Sequence, residues 1–369
     1  MKVAINDLKR QFDLHSKEYE KAALRVLRSG WYVLGEEVSL FEKEFASYIG
    51  GSYCVGLASG LDALWISFKL LGIGAGDEVI VASNSYIACV MGITMCGATP
   101  IFVEPNDFYN IDTSKIEEAI TAKTKAILAV HLFGQSCNMD VIMDCAKRYK
   151  LNVIEDCAQS HGNSWKGKRV GTFGDIGCFS FYPTKGCGAF GDAGAIVTNN
   201  QNLADRFRAY RNYGSRVRYQ NEIIGTNSRL DEMQAALLRV KLTYLEELNA
   251  ERMKIAQYYN SHIENPLISL PKLCPGSDST WHQYVIRCKQ RDELMAYLKE
   301  NGVDTLIHYP IPPHLSQAYA YLKYEKGAFP YAEAQANEVL SIPIFNGITH
   351  AELEHVVCQI NQFRGKNGI

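Results

Sequence analysis

The chain has 369 residues, 47% of them hydrophobic and 21% charged, with a formal charge of −2. That length exceeds what one ordinary core supports and predicts a large and a smaller domain, while the composition excludes a disordered chain. A near-neutral balance offers no electrostatic footprint for nucleic acid or an anionic membrane.

The opening stretch MKVAINDLKRQFDLHSKEYE is too charged for a signal peptide, and no apolar run reaches spanning length. Eleven scattered cysteines, none in a CxxC pair and many in apolar runs (Cys89, Cys178, Cys288, Cys358), lack the spacing of a disulfide framework, a zinc site or an iron–sulfur cluster. The expectation is a cytoplasmic protein with no metal.

Residues 17–29 and 36–49 predict two amphipathic helices, the second with Val38, Leu40, Phe41 and Phe45 on its apolar side. In the connector GWYVLG (30–35), Trp31 and Tyr32 read better as packing groups than as ligand contacts. From about residue 54 to 200 helices and strands alternate. The helices are 61–71, 86–96 and 139–149; the strands are 78–83, 99–105, 126–134, 152–159, 175–183 and 194–199. Such alternation predicts an α/β fold with a mostly parallel central sheet covered on both faces, whose ligand site lies beyond the carboxyl ends of the strands.

Residues 229–262 carry one long helical stripe (Met233, Ala236, Leu237, Val240, Tyr244, Leu248) suited to bridge two domains. The pattern then changes to a strand at 283–288, a helix at 291–301, a strand at 304–308, two helices and a strand at 340–343, which predicts a small α+β domain. The division expected is residues 1–245 for an N-terminal segment and large domain, and 246–369 for the small one.

Four strand-end features carry chemistry. In ASGLDAL (58–64), Ser59 and Gly60 open a helix directly after an apolar strand, either as a phosphate cradle of backbone N–H groups or as a plain N-cap. In EDCAQSHG (155–162), Asp156 closes a strand, either as a ligand's carboxylate partner or as a turn residue. Gln159 could donate to a ligand oxygen, and His161 is a site or turn residue. In FSFYPTKGCGAFG (179–191), Lys185 follows a strand and precedes a glycine-broken loop, where partial desolvation would favour a neutral, nucleophilic amine. Ser180 on that strand is a second phosphate donor or an ordinary strand serine. Together, a phosphate cradle, an acid and a lysine at strand ends match the needs of pyridoxal phosphate bound as a Schiff base. Tyr86, at a helix start, is placed to lie over its ring or simply to pack.

The segments SGWYVLGEEVSLFEKEFA, ASGLDALWISFKLLGIGAGDEVIVASNSYIA, HLFGQ, IEDCAQSHG, FSFYPTKGCGAFGDAGAIVTN, GTNSRLDEMQAALLRVKL and IHYPIPPH resemble the DegT/StrS family of nucleotide-sugar aminotransferases over nearly the whole chain. That resemblance implies the aspartate aminotransferase-like (fold type I) architecture and pyridoxal 5'-phosphate as cofactor. It implies that Lys185 forms the internal aldimine, Asp156 pairs with the pyridinium nitrogen and Gln159 approaches the ring oxygen. Gly60 and Leu61 would give backbone donors to the phosphate, Ser180 a hydroxyl, and Tyr86 a cover for the ring. Asn227 in GTNSRLDE would reach the phosphate of a neighbouring subunit, which implies a homodimer with shared active sites. Leu61 stands where threonine or alanine is usual; since a backbone N–H binds there, no loss of function is expected.

The activity implied is a two-half transamination from L-glutamate to a nucleotide-linked keto sugar, with Lys185 moving the proton as base and acid. TLIHYPIPPH (305–314) most resembles relatives acting at carbon 3 of dTDP-linked 3-keto-6-deoxyhexoses, which makes His308 and Tyr309 candidate sugar contacts and His131 a weaker one. The alternatives are a 4-aminotransferase on a UDP-linked 4-keto sugar, a dehydratase, against which the presence of Lys185 argues, and a non-catalytic regulator that binds the cofactor or a sugar.

Overall fold

The computed structural model of the protein describes residues 1–365. Helices α1 (Leu8–Asp13), α2 (Ser16–Ser29) and α3 (Glu36–Ile49) lead into β1 (Tyr53–Leu57), α4 (Gly60–Leu70), β2 (Glu78–Ala82), α5 (Ile87–Met95) and β3 (Thr99–Val103). Next come β4 (Thr124–Val130), α6 (Met139–Tyr149), β5 (Asn152–Asp156), a hairpin of β6 (Ser164–Trp165) and β7 (Lys168–Arg169), β8 (Ile176–Ser180), β9 (Gly194–Thr198) and α7 (Gln201–Tyr210). A second hairpin, β10 (Ser215–Val217) and β11 (Gln220–Asn221), precedes α8 (Glu232–His262). The chain closes with β12 (Tyr284–Arg287), α9 (Arg291–Glu300), α10 (Pro330–Glu338), β13 (Val339–Ile342) and α11 (His350–Gln362).

Seven strands form the central sheet in the order β1-β9-β8-β5-β4-β2-β3. β3, β2, β4, β5 and β8 are parallel, while β9 runs antiparallel to both β8 and β1. The sheet is therefore mostly parallel, and its near-continuous Val/Ile/Leu/Ala strands are buried on both faces, as helices on either side require. The parallel register sets Val130 beside Asp156 and Asp156 beside Cys178. The carboxyl ends of β4, β5 and β8 thus finish on one edge, and their next residues share a neighbourhood.

The β8 edge is anchored by aromatics. Phe41 and Phe45 of α3 meet Phe179 and Phe181 edge to face at 5.0–5.3 Å, contacts of about 0.5–1.5 kcal/mol each beyond their buried area. α3 itself starts at Gly35 without a capping side chain of its own. The Glu232 carboxylate, from the start of α8, accepts instead from the N–H groups of Gly35, Glu37 and Val38 at 2.8, 2.9 and 2.9 Å, satisfying donors the helix leaves open.

We propose the division between the two units after residue 245, inside α8. Leu245 packs in the cluster around α3 and β8, whereas Ile255, Ala256 and Tyr259 pack with β12, β13, α9 and α11. The chain's start departs from that division. Val3 N–H donates to Gly302 (2.7 Å), Asp304 N–H donates to Val3 (2.9 Å), and Arg10 pairs with Glu352 of α11 at 2.7 Å. Residues 304–308 also differ from expectation. Their backbone bonds are split between Val3 and a single bridge, Leu306–Ser341, so no strand forms. Helix α7 and both hairpins were not among the expected elements, although α7 has a legible signal: Asn200 caps it, and Leu203, Phe207 and Tyr210 recur on its buried side. No helix among the described residues is long and apolar enough to cross a membrane.

Candidate active site

The ends of β4, β5 and β8, the starts of α4 and α5, and two segments of the small unit enclose a cavity of about 410 Å³. Gly60, Leu61, Tyr86, Asp156, Gln159, Ser180 and Lys185, far apart in sequence, all border it, as do His131, His308 and Tyr309. Asn227 does not. It is exposed, outside its own chain's cavity, although the adjacent Ser228 is tied to α4: Ser228 Oγ donates to Asp62 Oδ2 (2.8 Å) and accepts from Ala58 N–H (3.1 Å).

The α4 end of the cavity is built by close approach. Ser59 is the N-cap; its Oγ accepts from Asp62 N–H at 3.1 Å, and its carbonyl accepts from Ala63 N–H. Capping in this way leaves the N–H groups of Gly60 and Leu61 at the cavity without a partner among the described residues. A Cβ on Gly60 would collide with Ser180 Cβ and lie 2.9 Å from Ser180 Cα. Only glycine lets the start of α4 and the end of β8 meet there, which concentrates two backbone donors and a hydroxyl as an oxyanion needs.

Asp156 is buried. Its Oδ1 accepts from Ala158 N–H (3.0 Å) and its Oδ2 from the Cys89 thiol (3.0 Å). Cys89, which the sequence presents as a small apolar filler of α5, is thus the acid's side-chain partner; burial and Asp156 hold the thiol well above its ordinary pKa, hence protonated. Lys185 hangs from a turn in which its N–H donates to Tyr182 at 2.8 Å. Burial lowers its pKa, with Asp156 and Cys89 pulling the other way.

Three histidines surround this lysine. His161 is packed between the Phe179 and Phe181 rings at 5.8 and 5.6 Å with neither ring nitrogen bonded, and burial followed by the Lys185 charge takes its pKa down to about 3. His308 Nδ1 shares a hydrogen bond with Ser341 Oγ (2.8 Å), and the same two causes take it to about 4. His282 was not singled out by sequence reasoning. It borders the cavity, its Nδ1 is unbonded, and burial, then Lys185, push it well below its usual value. Its only signal is tertiary: Thr280 N–H donates to Gly134 and Gln283 N–H to Phe133, which carry the small unit's first strand onto the end of β4.

His131 is a different matter. It is fully buried, Cys137 N–H donates to its Nδ1 (3.1 Å), and its Nε2 therefore carries the proton and donates to Glu155 Oε2 (3.1 Å). No ring nitrogen remains for a sugar hydroxyl, and the residue braces Glu155. Gln159 has both ends engaged: Oε1 accepts from Phe133 N–H (2.7 Å) and Nε2 donates to Tyr309 Oη (3.0 Å). A second Nε2 proton is left for a ligand oxygen. Tyr309 in turn lies against Tyr86, with ring centroids 4.9 Å apart.

An aldehyde-bearing ring with a phosphate suits this set. The Gly60–Leu61–Ser180 corner fits the phosphate, Asp156 a protonated ring nitrogen, and Lys185 the carbonyl carbon.

The sequence profile of the DegT/DnrJ/EryC1/StrS aminotransferase family matches residues 14–361. The dTDP-3-amino-3,6-dideoxy-alpha-D-galactopyranose transaminase of Aneurinibacillus thermoaerophilus is 51% identical over 350 residues, covering 95% of this chain and 96% of its own. Among solved structures, Streptomyces venezuelae DesV in complex with a ketimine intermediate superposes with a TM-score of 0.96 at 45% identity, covering 98% of each chain. NtdA from Bacillus subtilis with bound cofactor PMP gives 0.91 at 33% identity, covering 97% of this chain and 84% of that one.

Proposed function

Because this chain belongs to the DegT/DnrJ/EryC1/StrS aminotransferase family, we propose that it moves an amino group from L-glutamate to carbon 3 of a dTDP-linked 3-keto-6-deoxyhexose, making a dTDP-3-amino-3,6-dideoxyhexose. It is an aminotransferase that works with pyridoxal 5'-phosphate. The choice of carbon 3 and of a dTDP sugar rests on the 51% identity to the Aneurinibacillus transaminase. The observation that carries the assignment of residues is the convergence of Lys185, Asp156, Gly60 and Ser180 on one cavity.

When bound, the cofactor supplies an electrophilic carbon for the amino group and a ring that accepts the electron pair left as a C–H bond breaks. Gly60 and Leu61 N–H and Ser180 Oγ hold its phosphate, and the Asp156 carboxylate, steadied by Cys89 and Ala158, holds the ring N–H. Lys185 Nζ, whose pKa burial lowers, takes the proton leaving the donor's α-carbon and hands it on within the same half-reaction; in the second half it makes the reverse transfer, delivering a proton to carbon 3 of the sugar. Tyr309 Oη accepts from Gln159 and so keeps its own proton for a sugar oxygen. His308, neutral at physiological pH, offers a second uncharged contact, and Tyr86 with Tyr309 shields the reacting face from water.

In this reading the enzyme is a homodimer in which Asn227 reaches across to the partner's phosphate, in keeping with its exposure beside the anchored Ser228. A cytoplasmic location agrees with eleven unpaired cysteines. The test is a competition assay in which the holoenzyme and L-glutamate meet dTDP- and UDP-linked 3-keto and 4-keto hexoses together, with amino-sugar products identified by mass. A dTDP 3-amino product should dominate; preferential amination of the UDP-linked 4-keto sugar would overturn the substrate assignment.

A further inference from the structure

A second cavity, of about 340 Å³, lies on the other side of the Lys185 loop. Tyr182, Thr184 and Lys185 line the first cavity, whereas Pro183, Gly188 and Phe190 line the second, so the loop is the wall between them. Phe12 of α1, Tyr19 of α2 and Lys241 of α8 complete the second cavity.

Two of its polar groups are anomalous. Tyr19 is 3% and Lys241 7% exposed, yet among the described residues neither Tyr19 Oη nor Lys241 Nζ has a hydrogen-bond or ion-pair partner. The groups that act on Lys241 are the Cys187 thiol, which burial pushes up to about 12 and so keeps neutral, and the Arg252 guanidinium, which repels it. Burial takes Lys241 down to about 8, so at neutral pH it is still largely an ammonium. Neither atom is among the fully enclosed unpaired ones, so both keep contact with the space of the cavity, where an ammonium and a phenol O–H favour an oxyanion. Both groups border one space that the protein leaves unfilled. Gln11, whose Nε2 donates to Asn6 Oδ1 at 2.6 Å, also borders it, and the rest of the wall is largely apolar: the rings of Phe12, Tyr19 and Phe190 lie 4.9–6.0 Å from one another. Lys9, at the rim, is already paired with Asp13 at 2.5 Å.

We propose that this cavity is an oxyanion site, taking a small carboxylate or phosphate whose oxygens pair with Lys241 Nζ and accept from Tyr19 Oη, with any apolar part lying against Phe12 and Phe190. The site is separate from the one that holds the cofactor, since the two cavities have no lining residue in common.

Calorimetric titration of the holoenzyme with benzoate and, separately, with inorganic phosphate tests this and distinguishes the two sources of oxyanion. At least one should bind saturably. Lys241→Met should weaken it about tenfold or more and Tyr19→Phe by about threefold or more, both variants keeping the visible band of the bound cofactor. Absence of binding by either anion at millimolar concentrations overturns the proposal. So does equal affinity in wild type and variants, the result expected if phosphate enters only the cofactor's own cradle. Should Lys241→Met fail to fold, Tyr19→Phe, which keeps the ring and its packing, decides the question alone.

Discussion

Glu155 and Asp156 are adjacent carboxylates in one strand, and the pleat sends them to opposite faces. Behind the sheet, Glu155 is fully buried and saturated: it accepts from the N–H groups of Gly171, Phe173 and Gly174, each at 2.8 Å, and from His131 Nε2 at 3.1 Å. In front, Asp156 has one thiol and one N–H of its own turn, and it looks into a cavity shared with an amine and with His282, whose Nδ1 is unbonded. The rear acid has every bond it can use inside the protein and is structural. The front acid is under-satisfied, and so are its neighbours, because the missing partner is a ligand. Satisfaction, rather than charge or burial, separates the two roles.

That contrast can be broken by substitution. Lys185→Ala, at the front, should lower single-turnover amino transfer by about 10⁴-fold while the melting temperature stays near wild type; a rate within tenfold of wild type would remove Lys185 from the chemistry. Asp156→Asn should cost about 10²–10³ in kcat with little change in unfolding free energy, read by steady-state kinetics alongside urea titration. Glu155→Gln should do the reverse. It leaves His131 and a backbone donor without their acceptor and should cost about 3 kcal/mol of stability, with kcat per folded molecule nearly unchanged. If Glu155→Gln instead lowers kcat more than Asp156→Asn, the division between the two faces is wrong.

The two regions should also part company in acid. His161 has a folded pKa of about 3 against an ordinary 6.5, burial being the main cause. Its neutral form therefore stabilises the fold above pH 6.5, and that contribution is lost as pH falls from 6.5 towards 3. Glu155, which burial pushes up but which His131 and backbone N–H groups bring below its ordinary 4.5, contributes above pH 4.5 and loses that contribution only below it. His161→Phe should accordingly flatten the stability profile between pH 7 and 5 by about 1–2 kcal/mol, leaving the steeper loss below pH 4.5 in place. Denaturant unfolding at a series of pH values reads both limbs; an unchanged slope between pH 7 and 5 would mean that His161 does not resist protonation in the native state.

Much of the front region is legible in the chain because strand ends are. Apolar runs that stop at Asp156 and Ser180, and the small residues that open α4 after β1, mark the edge where ligands bind in a sheet of this kind, and Lys185 follows from the same logic. The glycines after Lys185 are less transparent. They suggest a mobile loop, but a Cβ on Gly188 would collide with the Pro183 carbonyl oxygen, so that glycine serves a tight backbone approach. Cys89 looks like core because its periodicity is that of core; its hydrogen bond to Asp156 depends on how α5 lies across the end of β5. His131 sits at a strand end as a ligand contact would, and only the positions of Cys137 and Glu155 show both its nitrogens occupied.

By itself the sequence determined the alternation of helix and strand, the mostly parallel sheet and the residues that close its strands, since these follow from local periodicity and from where apolar runs end. The tertiary structure alone decided what each of those residues has for company. It placed β9 antiparallel between β1 and β8, brought His282 and Tyr309 over the sheet edge from a unit far along the chain, bound Glu232 to the start of α3, and left Tyr19 and Lys241 facing an unfilled space. Hydrogen-bond satisfaction is a property of neighbours in space, and residues distant in sequence supply most of those neighbours.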